Sequence, residues 1–261
     1  MALFDKLKNM VRGEEPVATE IAALRKERRY NERHSLAGTS LVQITCADAT
    51  LTVADISYGG ISVRLDDRVR SVLTVGAKFD TTVTVPGQTT SIPIEVVRHG
   101  PGRGDSEIAG VKFHHESRES LSALRNIIEP LRLGGTLVPV DTANLKEEKQ
   151  IANIRYMRGE GPIDLNFADN YFYMLFPIGQ GEYGEVRLYD GKLMTAKTQA
   201  ADVQRFAGQM MSNSQDLDEQ LITTAALILT GAMSQHAELV SPILVTFLGK
   251  YSESNGALES A

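Results

Sequence analysis

Cysteine is almost missing from this chain: Cys46 is the only one in 261 residues. A lone thiol excludes an internal disulfide framework and fits a reducing compartment, so a cytoplasmic location is expected. It also removes the cysteine pair from which many structural zinc sites start, and no metal is expected. Long apolar runs are absent as well, and none approaches the ~20 residues that a membrane-spanning helix needs. The opening stretch, Met1-Ala2-Leu3-Phe4-Asp5-Lys6, has no long apolar core of a secretory signal. A basic excess is lacking too. The formal net charge is −6, which disfavours a non-specific nucleic-acid binder.

What is present suits packed domains. Hydrophobic residues make up 42% and charged residues 23%, a globular balance that indicates neither disorder nor a membrane protein. The length accommodates two domains of ordinary size. Charge is divided unevenly between them. Residues 1–134 hold 18 Lys and Arg against 17 Asp and Glu, whereas residues 135–261 hold 9 against 16. The positive charge that exists is clustered, with Arg25, Lys26, Arg28, Arg29 and Arg33 inside nine positions. Such a cluster suits one small anionic ligand better than a long polyanion.

Periodicity divides the chain. In residues 2–12, Leu3, Phe4, Leu7, Met10 and Val11 share one side of a helical wheel. An amphipathic helix that docks on its own protein is the favoured reading; docking to a partner and attachment to a membrane surface are the alternatives, and eleven residues are short for the latter. A second short helix over 17–28 would deliver the arginine cluster. From Ser40 to Phe113 the period is two, carried by Val42, Ile44 and Cys46, then Leu51 and Val53, then Ile61, Val63 and Leu65. It continues through Phe79 to Val85, Ile92 to Val96, and Ala109 to Phe113. Six short strands separated by turn residues predict an antiparallel sandwich or barrel. A helix is expected over 117–132, with Leu121, Leu124, Ile128 and Leu131 on one stripe and Pro130 ending or kinking it.

The second half mixes periods, which predicts a separate α+β domain. Residues 143–157 read as helix. Strands are expected at 163–169, 171–178, 185–189 and 193–198, helices at 200–212 and 216–236, a closing strand at 241–249 and a frayed tail. The expected division is an N-terminal helix or tail at 1–20, a β-domain at 21–134 and an α+β domain at 135–261.

Two motifs carry the chemistry. Arg29-x-x-x-Arg33 precedes the first strand, and Asp55-x-Ser57-x-x-Gly60 follows about two strands later. Alone, each is weak: the first has a second copy at Arg25 and Arg29, and the second is an ordinary Asp-initiated turn. In this order, flanking alternating strands, they make a specific combination. It resembles the PilZ family, the receptor domain for the bacterial second messenger cyclic di-GMP, over residues 25–131. The resemblance implies a six-stranded antiparallel β-barrel flanked by its C-terminal helix, with cyclic di-GMP as ligand and no cofactor. It also implies that Arg29, Arg33, Asp55, Ser57 and Gly60 hold the ligand. In that family the position before the first motif arginine bears on ligand number, and Arg28 there favours a stacked pair. The roles make chemical sense. Guanidinium matches the O6 and N7 acceptors of guanine bidentately and stacks on the ring. A carboxylate accepts from N1–H and the exocyclic amine, Ser57 offers a hydroxyl, and Gly60 permits a tight turn close to a ligand. Ligand binding is then expected to clamp an arginine-rich segment that is otherwise loose.

Other motifs are discarded. Gly179-x-Gly181-x-x-Gly184-x-Val186 copies a kinase glycine loop, but only 64 residues follow Lys197 and no HRD or DFG triplet is among them. A glycine-rich hairpin is the better reading. Arg103-Gly104-Asp105 reads as a hairpin tip, and His114-His115-Glu116 as solvent-facing residues at a strand end. No nucleophile–base pair, metal cluster or phosphate loop is found in residues 135–261. The expectation is therefore a receptor without enzymatic activity, acting on an unidentified protein partner in motility, attachment or exopolysaccharide production. The alternatives are a structural adaptor with a degenerate barrel, or an enzyme whose catalytic half is the C-terminal domain.

Overall fold

The computed structural model describes residues 28–36, 39–47, 49–102, 106–114, 117–141, 155–160, 163–168, 171–199 and 217–258. The amphipathic stretch at 2–12, the segment 17–27, the Arg-Gly-Asp tip and the expected helices at 143–154 and 200–212 lie outside them. The chain forms two compact units. The first comprises residues 1–37, 42–84 and 88–128; the second comprises 129–261 with the short segments 38–41 and 85–87.

The first unit is built on one sheet of eight strands, two more than the sequence suggests. They are β1 (His34–Ser35), β2 (Gln43–Cys46), β3 (Ala49–Leu51), β4 (Val53–Ser57), β5 (Gly60–Arg64), β6 (Lys78–Val85), β7 (Gln88–Pro101) and β8 (Glu107–Phe113). Their spatial order is β1-β4-β5-β8-β7-β6-β2-β3. It is a curled half-barrel rather than a closed barrel, since no ladder joins the edge strands β1 and β3 among the described residues. The count differs from six for two reasons. The apolar stretch around Leu51 and Val53 breaks at Thr52 into β3 and β4, and the two-residue β1 is too short to show any period. Ile44, Ile56, Ile61, Val63, Val83, Ile92, Ile94, Val96, Val111 and Phe113 are buried on the inner face. Each such side chain contributes about 1.5–3 kcal/mol by leaving water. A short helix, α1 (Asp67–Val72), follows β5 and is capped by Asp66, whose side chain accepts from the Val69 N–H. Helix α2 (Arg118–Gly134) continues past Pro130 instead of ending there.

The second unit is a six-stranded antiparallel meander with one long helix. Its strands are β9 (Val138–Val140), β10 (Arg155–Arg158), β11 (Asp164–Ala168), β12 (Tyr171–Gly179), β13 (Glu182–Tyr189) and β14 (Lys192–Gln199). They lie in the order β14-β13-β12-β11-β10-β9. Residues 155–157, expected as helix, are therefore strand, paired with 165–167. The glycine-rich stretch is the β12–β13 hairpin. Gly179, Gln180 and Gly181 hold φ values of 103°, 53° and 80° there, the positive φ such a tight turn demands. Helix α3 (Glu219–Leu258) replaces the expected closing strand at 241–249 and the frayed tail. Beyond residue 236 its buried residues, among those described, are Val240, Leu244, Phe247 and Tyr251, a 4-3-4 spacing that only a helix puts on one face. The β-branched run around Val245 and Thr246 hides that spacing from a period-two reading. The helix breaks at His236, where φ is −132° and ψ is 41°. The last residues of α2, from 129 on, belong to this second unit, and there their backbone touches α3: a Cβ on Gly134 would lie 1.9 Å from the Ile228 carbonyl oxygen, and one on Gly231 2.0 Å from that of Leu131.

Among the described residues no helix is long and apolar enough to cross a membrane.

Candidate functional site

The first motif arginine, Arg29, enters with Arg28 on a 3-10 turn, Arg28–Asn31, and the second, Arg33, follows it just before β1. Tyr30 anchors this turn and is only 8% exposed. Its carbonyl accepts from the Gly59 N–H at 3.2 Å, and its ring lies so close to Gly59 that an added Cβ would meet Tyr30 Cε1 at 3.0 Å. Immediately after, His34 pairs with Ile56 and Ser35 with Asp55. The first motif thus sits on the turn of the second through backbone bonds and one buried ring. Residues 28–36 are held by these contacts, so loose-to-clamped behaviour is not expected of this part of the segment. The backbones of Arg28 and Arg29 lie on the 3-10 turn; their side chains are outside the described residues.

Arg33 is the side chain that crosses from one motif to the other. Its Nη1 donates to Asp55 Oδ1 at 2.5 Å and to Ser62 Oγ at 3.0 Å. Both ionic partners keep contact with water, with side chains 43% and 30% exposed. A half-exposed pair of this kind contributes about 0–1 kcal/mol, so a ligand can exchange it at small cost. Ser57 is buried, and its hydroxyl donates to the Gly60 carbonyl at 3.1 Å. It therefore stabilises the turn itself, leaving only its lone pairs for a ligand. Gly60 is required by space: with φ of 155°, a Cβ there would lie 1.9 Å from the Val111 carbonyl oxygen. No side chain other than hydrogen fits where β5 and β8 approach.

The structure therefore brings together Arg33, Asp55, Ser57 and Gly60, and adds Ser62 and Tyr30, which the motifs do not name. Ser62 is a small polar residue between the inward-facing Ile61 and Val63. Alternation alone puts it on the opposite face, beside Asp55, once the Asp55-to-Gly60 turn is closed. Tyr30 has no comparable signal, since an aromatic inside a charged run reads equally well as exposed.

Other chemistry-bearing groups are accounted for. Cys46 is buried, and desolvation pushes its thiol up, away from the reactive thiolate. His114 Nε2 lies 3.0 Å from Glu95 Oε2. Among the described residues no cluster of His, Cys, Asp and Glu is arranged to hold a metal. In the second unit a cavity of about 650 Å³ is lined by Phe167, Tyr171 and Phe172 from the sheet and Leu239, Pro242 and Ile243 from α3. Thr246 on its wall donates to the Pro242 carbonyl within the helix at 2.9 Å, so it is not paired with a base.

Comparison with known proteins gives two results. The family model described as PilZ domain matches residues 25–129. The crystal structure of the Borreliella burgdorferi PlzA protein in complex with c-di-GMP aligns over 70% of this chain and 87% of its own, at 8% identity and a TM-score of 0.32. A likeness that low carries no argument about either fold or ligand. No curated protein matches the chain.

Proposed function

We propose, from the match of residues 25–129 to the PilZ domain family model, that the chain is a receptor for cyclic di-GMP. The observation that carries the reading is the Arg33–Asp55 contact beside Ser62 and Gly60. A guanidinium suited to the acceptors of guanine and a carboxylate suited to its donors, side by side, support this reading. On binding, the carboxylate of Asp55 accepts from N1–H and the exocyclic amine, while Arg33 is released to the O6 and N7 edge. Arg29, delivered by the Tyr30-anchored turn, adds a second guanidinium. Arg28 occupies the position before the first motif arginine, and its identity there is the ground for reading a paired ligand.

The energetic demand is modest. Tyr30 and the β1–β4 pairing already organise residues 28–36, so the ordering cost falls mainly on side chains, at about 1.5–2 kcal/mol for each long one. Charge-assisted hydrogen bonds contribute about 1.5–3 kcal/mol each. Four to six of these, together with stacking of purine on guanidinium, leave about −8 kcal/mol, micromolar affinity. The second unit, with no recognised chemistry, is assigned the output role. It presents the signal to a protein partner in the cytoplasm, in motility, attachment or exopolysaccharide production.

Isothermal titration of the full chain with cyclic di-GMP at low salt tests the receptor role. Saturable heat with a micromolar midpoint is expected. Absence of heat at tens of micromolar ligand would leave a structural adaptor as the reading.

A further inference from the structure

Two β-bulges shape the outer face of the first sheet, and both turn a charged residue outward. In β4 the register slips between Val53 and Asp55, so that Asp55 rather than Ala54 stands opposite Ser62. In β7 it slips between Val96 and Arg98, so that Arg98 rather than Val97 stands opposite Gly110. Without the second bulge Arg98 would face Ala109, which is fully buried. Ser62 is itself paired with Gly110. The four residues Asp55, Ser62, Gly110 and Arg98 therefore form one straight row across β4, β5, β8 and β7, on one face. Bulges that re-aim side chains recur beside functional sites.

The row has a charged group at each end and a notch between. Gly110 supplies the notch, and the Arg98 stem lies across it: a Cβ on Gly110 would meet Arg98 Cγ at 2.9 Å and Nε at 3.1 Å. Arg98 is exposed, and no hydrogen bond or ion pair engages it among the described residues. Lys112, two residues along β8 on the same face, stands between Gly60 and Glu95 and is likewise exposed. Glu95, the acid beside it, is engaged by His114. Three inter-strand steps of about 5 Å separate Asp55 from Arg98 at their Cα atoms, about 15 Å in all. With the arginine arms reaching inward from both ends, that span is too long for a lone phosphate and suits a ligand with two charged groups.

We propose that Arg98, with Lys112 beside it, binds the phosphate of the ligand remote from Arg33, making the glycine-floored row the second half of the site. The proposal rests on the receptor reading above, and the experiment separates the two. Cyclic di-GMP is titrated into the full chain and into Arg98→Ala, Arg98→Lys and Arg70→Ala, with thermal unfolding run on each variant as a check of folding. Arg70 is the control, an exposed cation of the same unit that is paired with Glu107 and stands outside the row. Arg98→Ala is expected to weaken binding at least tenfold with an unchanged unfolding midpoint. Arg98→Lys should stay within a few-fold of the parent, because a phosphate accepts either cation, and Arg70→Ala should bind like the parent. A parent chain that binds while Arg98→Ala binds equally well would overturn this inference and leave the receptor reading standing. Equal losses in Arg98→Ala and Arg70→Ala would overturn it as well, by assigning the effect to diffuse charge. A loss in Arg98→Lys as large as in Arg98→Ala would overturn the phosphate assignment. A parent chain that does not bind at all would sink both readings together.

Discussion

Arg33 and Asp55, 22 positions apart in sequence, meet at 2.5 Å on the outer face of the first sheet, with Ser62 as the third member. Their contact is half-exposed and adds little to folding, so under the proposed receptor role its loss is expected to show in binding. Asp55→Asn keeps the size of the side chain and removes the carboxylate. The unfolding midpoint is expected to move by no more than about 2 °C, a fraction of 1 kcal/mol for a domain of this size. Affinity for cyclic di-GMP is expected to fall at least tenfold, about 1.4 kcal/mol. Calorimetry and thermal unfolding on the same sample check both halves, and a large drop in stability would make Asp55 a structural residue instead.

Gly60 and Gly59 adjoin, yet their substitutions should differ. A methyl group at Gly60 runs into the Val111 carbonyl at 1.9 Å, backbone against backbone. Gly60→Ala is expected to cost about 3 kcal/mol or more and to lower the unfolding midpoint by over 10 °C. At Gly59 the obstacle is the Tyr30 ring at 3.0 Å, which can tilt. Gly59→Ala is expected to cost about 1 kcal/mol while loosening the turn that carries Arg29. Comparable midpoints for the two variants would contradict the tight approach of β5 and β8.

Asp218 caps helix α3 and supplies an acid limb in the stability of the second unit. Burial alone would raise its carboxyl. The Lys197 ammonium at 2.7 Å and the N–H groups of Leu221 and Gln220 outweigh that and hold it below the usual carboxylate value. The hydrogen bond to Asp218 in turn raises the Lys197 ammonium above its ordinary range. A carboxyl lowered on folding stabilises fully above its unfolded value near 3.8, and the benefit is lost as the pH falls through the folded value. A raised lysine stabilises below its unfolded value of 10.5 and loses the benefit as the pH rises through the folded one. The pair therefore supports the fold between about pH 4 and pH 10. Asp218→Asn should lower the unfolding midpoint at pH 7, and the gap from the parent should close below pH 4. A gap that is constant with pH would assign the whole effect to capping geometry.

Glu185 works in the opposite sense. It is 4% exposed on β13; burial pushes its carboxyl up, and Arg187 offsets that only in part. A carboxyl raised on folding costs stability as the pH rises from its unfolded value near 4.5 through the folded one. Glu185→Gln should therefore stabilise the chain at neutral pH, and the gain should vanish below about pH 4. A neutral-pH loss of stability would place a specific role on the charge.

Much of this fold is written in side-chain alternation, and the exceptions share a cause. Ile61 and Val63, Ile92 to Val96, and Val111 and Phe113 are buried where alternation puts them. Both sequence motifs are legible because their spacing survives any choice of strand boundary. Bulges are not legible: the extra residue at Ala54 or Val97 looks like any other, though it decides which way Asp55 and Arg98 face. The helix from 241 onward was obscured because Val245 and Thr246 favour strands locally, whereas the burial of Leu244, Phe247 and Tyr251 favours a helix. Packing overrides propensity there.

A crystal of the chain grown with excess cyclic di-GMP tests the receptor reading most directly. The nucleotide is expected on the outer face of the first sheet, with Asp55 accepting from a guanine N1–H and Arg33 turned from Asp55 to the purine edge. A nucleotide bound elsewhere, or a bare face with Arg33 still committed to Asp55 and Ser62, would contradict it.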